Sequence, residues 1–220
     1  MLAEITALLA ASAAVASASA LPKRGQTASI TPHDMYSSSI GVMGCHINTN
    51  RVAYWPGSVS CNDICVQISY GGRSLNVLKI DTSGGAHDIS YDAWNYLAFG
   101  KGAHEEPHQG GGINMDWEYR PASECADLLH NGKIPLSAAN SMNYVASCVQ
   151  NEPNSYAAKN YELYNMLDPI CKYGYDETCT LDLNQSNQAT CPHQMGSNHT
   201  PTGQKVVNIQ YGTGAYVDAQ

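Results

Sequence analysis

From Cys65 to Ile80 the chain alternates apolar and polar positions with period two, first along Cys65-Val-Gln-Ile-Ser-Tyr70 and again along Ser74-Leu-Asn-Val-Leu-Lys-Ile80, with Gly71-Gly72 between the runs. Successive strand side chains point to opposite faces, so this pattern predicts a β-hairpin closed by a glycine turn. A second clear strand is predicted over Gly112–Tyr119. It would place Ile113, Met115, Trp117 and Tyr119 on a core face and Asn114, Asp116 and Glu118 on a wet one. Between them, Ser90 is a candidate N-cap for a short helix in which Trp94 and Leu97 share the apolar face. Gly100, Gly102 and Gly110 to Gly112 frame His104, Glu105, Glu106 and His108, a composition that predicts a mobile polar loop. Beyond Cys125 the periodicity becomes mixed and helical over 139–149 and 156–167, with Asp168-Pro169 as a stop. This predicts a helical, disulfide-pinned extension from about 126 to 195. The tail Lys205–Tyr211 alternates again, as a strand returning to the sheet.

Composition adds compartment and partner class. Residues 1–20 carry an Ala-rich apolar run ending in Ala18-Ser19-Ala20, the shape of a cleavable signal peptide and too short to span a bilayer. Residues 21–24 end in Lys23-Arg24, which looks like a processing site of fungal secretory pro-segments. All 8 cysteines follow: Cys45, Cys61, Cys65, Cys125, Cys148, Cys171, Cys179 and Cys191. In an oxidising compartment an even number implies four disulfides, in any of 105 pairings. Sequons at Asn184 and Asn198 agree with secretion. With 43% hydrophobic and 14% charged residues the chain can bury a real core. Its formal charge of −8 argues against nucleic acid and anionic membranes as partners. Fourteen Tyr against one Phe favour a hydroxyl-rich ligand or matrix. A glycine-rich loop is a poor cage for a metal at His104, Glu105 and His108, and there is no phosphate loop, so no metal or other cofactor is expected. The Gly-x-Ser-x-Gly elbow of esterases is also missing.

Three stretches together resemble the six-stranded double-psi β-barrel of expansins and their relatives. They are Leu75-Asn-Val-Leu-Lys-Ile-Asp81, then His87-Asp88-Ile89-Ser90 leading into Asp92-Ala93-Trp94, then Gly112-Ile-Asn-Met-Asp-Trp-Glu-Tyr-Arg120 ending at Cys125. The resemblance implies a mainly β protein with a double-psi barrel over about 41–125, and leaves the helical, disulfide-pinned extension over 126–220 unexplained. In enzymes of that superfamily an acid at the position of Asp88 protonates a glycosidic oxygen, a role that requires a partly desolvated carboxyl. Asp88 or Asp81 could equally cap the helix that opens at Ser90.

An inverting glycosidase needs a second carboxylate, and related endoglucanases carry it in a Tyr-Trp-Asp element. Here Tyr54-Trp55 is followed by Pro56, so Asp81 or Asp63 would have to substitute. Tyr54 and Trp55 are the candidate stacking platform for sugar, with Asp116 on the wet face of the last strand as a further contact. Trp94 and Trp117 are expected in the core. The expected function is that of a secreted, monomeric, expansin-like protein that binds or loosens cell-wall polysaccharide without efficient hydrolysis. Two alternatives remain open: a glycan-cleaving enzyme with Asp88 as acid, and a non-catalytic effector that binds a host protein.

Overall fold

The computed structural model describes residues 25–203 and 205–220; the signal peptide and pro-segment expected over 1–24 lie outside the described residues. Six strands close a barrel: β1 (Gln26–His33), β2 (Val52–Pro56), β3 (Cys65–Tyr70), β4 (Arg73–Ser83), β5 (His87–Ser90) and β6 (Ile113–Arg120). Around the barrel they run β1-β5-β2-β4-β3-β6 and back to β1. The β1–β5 and β2–β4 pairs are parallel, and the other four are antiparallel. Exchanging β1 with β4, β2 with β5 and β3 with β6 reproduces every neighbour and every strand sense. The pairing therefore has an internal twofold relation.

The barrel interior is filled by alternate residues, including Ile30, Ala53, Trp55, Ile68, Val77, Ile89, Met115 and Trp117. Trp94 and Trp117 are buried, as the sequence pattern predicts. The β3–β4 hairpin turns on Gly71 (φ 57°) and Gly72 (φ 79°). Positive φ at both central residues is the type I′ requirement that glycine meets without strain. A helix, α1 (Tyr91–Phe99), follows Ser90 directly and ends at left-handed Gly100. The Ser90 hydroxyl does not cap it. Ser90 Oγ donates to the Thr49 carbonyl and accepts from Val52 N, both at 2.8 Å, so it ties the helix start to β2.

The barrel begins earlier than the expected residue 41, because β1 is one of its staves. The expected extension is also not chiefly helical. It contains a three-stranded sheet of β7 (Ile134–Ser137), β8 (Tyr161–Met166) and β9 (Gly174–Cys179), with β8 central. Its helices are α2 (Met142–Asn151) and the single turn α3 (Tyr156–Lys159). The expected helix over 156–167 is thus one turn followed by a strand. Leu163 to Met166 are buried on both faces of that strand, which removes the alternation that would have marked it. The tail strand β10 (Val207–Ile209) pairs with β11 (Tyr216–Asp218) and does not join the barrel.

The added layer packs on the outer face of β2 and β4. Val52, Tyr54, Leu78 and Ile80 point away from the barrel interior into one continuous core with Leu136, Val145 and Leu163. Each such apolar side chain contributes roughly 1.5–3 kcal/mol on burial. The β1–β2 connection belongs to this layer too: Met43 N donates to the Pro135 carbonyl and Ser137 N to the Gly41 carbonyl, both at 2.9 Å. Disulfide Cys61–Cys148 joins the β2–β3 connection of the barrel to α2 of the added layer, Cys45–Cys171 ties the β1–β2 connection to the segment after β8, Cys65–Cys125 ties β3 to the segment after β6, and Cys179–Cys191 closes a local loop.

Candidate functional site

Strand register brings together residues that the sequence spreads over fifty positions. Thr31 pairs with Asp88, Asp88 with Tyr54, and Tyr54 with Asp81. Directly paired residues share a face, so Thr31, Asp88, Tyr54 and Asp81 form one row across β1, β5, β2 and β4 on the outside of the barrel. The two carboxylates stand two strand spacings apart, roughly 9–10 Å at their Cα atoms. Tyr54 lies between them, only 5% exposed.

Each member of the row is engaged. Asp88 is half-buried and accepts a hydrogen bond from the Thr31 hydroxyl. Asp81 accepts from the Ser37 hydroxyl and from its neighbour Thr82 N. The Tyr54 hydroxyl donates to the Met35 carbonyl at 3.0 Å, and its ring packs against His33 at 4.3 Å. Burial pushes the Tyr54 phenol well above its ordinary range, and the carboxylates of Asp81, Asp34 and Asp88 add to that shift. Neither Asp88 nor Asp81 caps α1. The acidic residue of its first turn is Asp92, which accepts from Ala103 N and pairs with Arg51, both at 2.8 Å.

The segment 34–38 and the C-terminal tail cover Tyr54 within the row. Tyr36 N donates to the Asn208 side chain and Tyr211 N to the Asp34 carboxylate, both at 3.0 Å. The cavity left beneath them is lined by His33, Asp34, Tyr36, Tyr54 and Asn208, among others, and has about 20 Å³ of free space. That is room for one water, not for a sugar ring. Neither Asp88 nor Asp81 lines it.

Trp55, expected with Tyr54 as a sugar platform, is 1% exposed inside the barrel. It meets His87 at 4.7 Å and Trp117 at 5.3 Å, both edge-on, and its indole N–H has no partner. The Pro56-Gly57 sequence suggested a surface turn, but Val52–Pro56 is an interior strand with neighbours on both sides. Asp116 is exposed on β6, accepts from Thr27 at 2.7 Å, and stands apart from the row.

The loop after α1, expected to be mobile, is pinned by the fully buried Asn95. Its amide donates to the carbonyls of Lys101 and Glu106, each at 2.9 Å, and its oxygen accepts from His108 N at 3.0 Å. His108 stacks on Phe99 and His104 on Tyr216, so the two loop histidines are held apart by separate aromatic partners. Among the described residues no three metal-ligating side chains gather into a cluster. No helix among them is long and apolar enough to cross a membrane. Asn184 and Asn198, the candidate glycosylation sites, are both exposed.

Sequence reasoning did not find Thr31, His33, Asp34 and Tyr36, since nothing in the pattern marks β1 as the neighbour of Asp88. It also passed over Lys79, although a lysine inside the apolar run Val77-Leu78-Lys79-Ile80 is a visible irregularity. A scan against protein-family models and a search of curated proteins both find no match to this chain.

Proposed function

We propose that this chain is a secreted double-psi β-barrel protein of expansin-like type that binds neutral cell-wall polysaccharide without hydrolysing it. The barrel identity is supported by the pairing order, in which parallel β1–β5 and β2–β4 exchange under the internal twofold relation. Four disulfides and two exposed sequons support an oxidising, extracellular location.

The row Thr31–Asp88–Tyr54–Asp81 carries the non-hydrolytic part of the reading. An inverting hydrolase holds its two carboxyl groups roughly 6.5–9.5 Å apart with a water between them. Here the buried ring of Tyr54 stands between the carboxylates, and hydroxyl donors hold Asp88 and Asp81.

The test is capture of the full chain, secreted from an oxidising host, on insoluble cellulose, chitin, β-1,3-glucan and peptidoglycan, with released sugar assayed in the supernatant. Wild type and Asp88→Asn are both expected to bind a neutral glycan and to release nothing above background. Sugar release by wild type and not by Asp88→Asn would make the protein a glycan-cleaving enzyme. Capture on none of the four would remove the polysaccharide reading and leave a protein-binding effector scaffold as the better account.

A further inference from the structure

The barrel and the added layer meet along an open groove of about 540 Å³ that none of the residues of the Asp88 row lines. One wall is the end of β6 and the residues after it, including Tyr119 and Ser123; the other is the α3 turn with Asn154 and Lys159, and Asp63 lines the groove as well. Sites of this size favour the seam between two layers.

Three observations define what the groove can hold. First, its free charges balance. Arg120 is spent on Glu118 and Glu124 in three bonds of 2.9–3.1 Å, whereas among the described residues neither Asp63 nor Lys159 has a salt-bridge partner. An anionic ligand would face Asp63 and a cationic one Lys159, while a neutral polyol can donate a hydroxyl to the first and accept from the second. Second, Tyr119 is 36% exposed beside this pair, which offers a partly open ring to the apolar C–H face of a pyranose.

Third, Lys79 stands behind Tyr119. It is 4% exposed and donates to the Ser58 carbonyl at 3.1 Å and to the Tyr119 hydroxyl oxygen at 3.4 Å. Burial lowers the affinity of its amine for the proton and the carboxylate of Asp63 opposes that effect. Because the phenol oxygen is occupied as an acceptor, the hydroxyl proton of Tyr119 is left to serve as a donor to a ligand.

We infer that this groove between β6 and the α3 turn is the glycan-binding surface of the protein, that it takes a neutral, hydroxyl-rich sugar chain, and that Asp63, Lys159 and Tyr119 are its contacts. The inference rests on the polysaccharide reading above and relocates the binding surface away from Tyr54 and Trp55.

Its test uses the full chain on insoluble β-1,3-glucan, chitin and cellulose, with soluble polygalacturonate as an anionic comparator. The Asp63→Ala/Lys159→Ala double variant removes two exposed, unpaired side chains, and an unchanged urea midpoint would confirm that it folds. Loss of two ligand hydrogen bonds is expected to weaken capture about tenfold or more, and Tyr119→Phe about fivefold, with Asp88→Asn unchanged. Wild-type capture that none of the groove variants weakens would overturn this assignment and leave the polysaccharide reading standing. Wild-type capture on no neutral glycan would overturn both. Preference for polygalacturonate would refute the neutral-ligand assignment.

Discussion

The anchoring of the added layer can be tested through the Cys45–Cys171 bridge, which joins the β1–β2 connection to the segment between β8 and β9. Its sequence separation of 126 would suggest a loss of about 5 kcal/mol on removal, from the entropy of an opened loop of that length. The bridge is not independent, however. Cys61–Cys148 lies within its span and shortens the covalent circuit to about 40 residues, since the chain ends of the two bridges are close in sequence. For a loop of that size the expected loss is about 4 kcal/mol. Cys45→Ala/Cys171→Ala should therefore lower the urea unfolding free energy by about 4 kcal/mol, with little change of slope. Tryptophan fluorescence from the barrel and far-ultraviolet dichroism from the whole fold should report one transition, because Val52, Tyr54, Leu78 and Ile80 bind both layers into one core. A loss below about 1 kcal/mol would refute the covalent-circuit reasoning. Two separated transitions would refute the common core.

Other consequences follow from particular side chains. Asn95→Ala strips three bonds from the loop after α1 and leaves two carbonyls and an N–H without partners, so it should cost about 3 kcal/mol and open residues 101–108 to protease; an unaltered cleavage pattern would contradict the pinning. Tyr54→Phe removes the bond to the Met35 carbonyl and should cost about 1 kcal/mol in urea unfolding. Burial raises the phenols of Tyr36, Tyr54 and Tyr144 above the ordinary value of 10.0, so their contribution to stability is complete below pH 10 and declines as alkali ionises the unfolded chain first. Urea midpoints from pH 8 to 11 test this, and a flat profile would contradict it. Glu162 behaves oppositely: the Tyr164 hydroxyl, against an opposing effect of burial, holds its carboxyl below the ordinary value, helped by Lys133 and Asn131. Its contribution is complete above the ordinary carboxylate value and is lost as pH falls through the lower folded value, so Glu162→Gln should flatten the acid limb of the stability curve.

The legible parts of the sequence were those where one face of an element is wet. The β3–β4 hairpin, β6 and α1 each alternate or repeat cleanly, and all three stand where the pattern places them, except that Tyr119, expected on the core face of β6, is exposed at the end of that strand. The segments misread lack that contrast. In β8 four successive residues are buried, and in β2 four of five are, so period two vanishes and Trp55 cannot be told from a surface aromatic. In β1 the interior positions are Ala28 and Ile30, too little apolar weight to announce a barrel stave. The candidate site was legible by residue and not by arrangement. Asp88, Tyr54 and Asp81 were each singled out, but their adjacency depends on the antiparallel β2–β5 and parallel β2–β4 pairings between segments far apart in the chain, and local pattern carries no such register. Disulfide pairing was closed to sequence for the same reason.

The most direct test of the polysaccharide account is amide hydrogen exchange of the full chain with and without neutral hexasaccharides of β-1,3-glucan, chitin and cellulose. Binding of one of them should slow exchange at 62–63, 119–123 and 154–160, leaving 31–36 and 81–88 unchanged. No protection with any of the three sugars would contradict it, and protection centred on the Asp88 row would overturn the groove assignment.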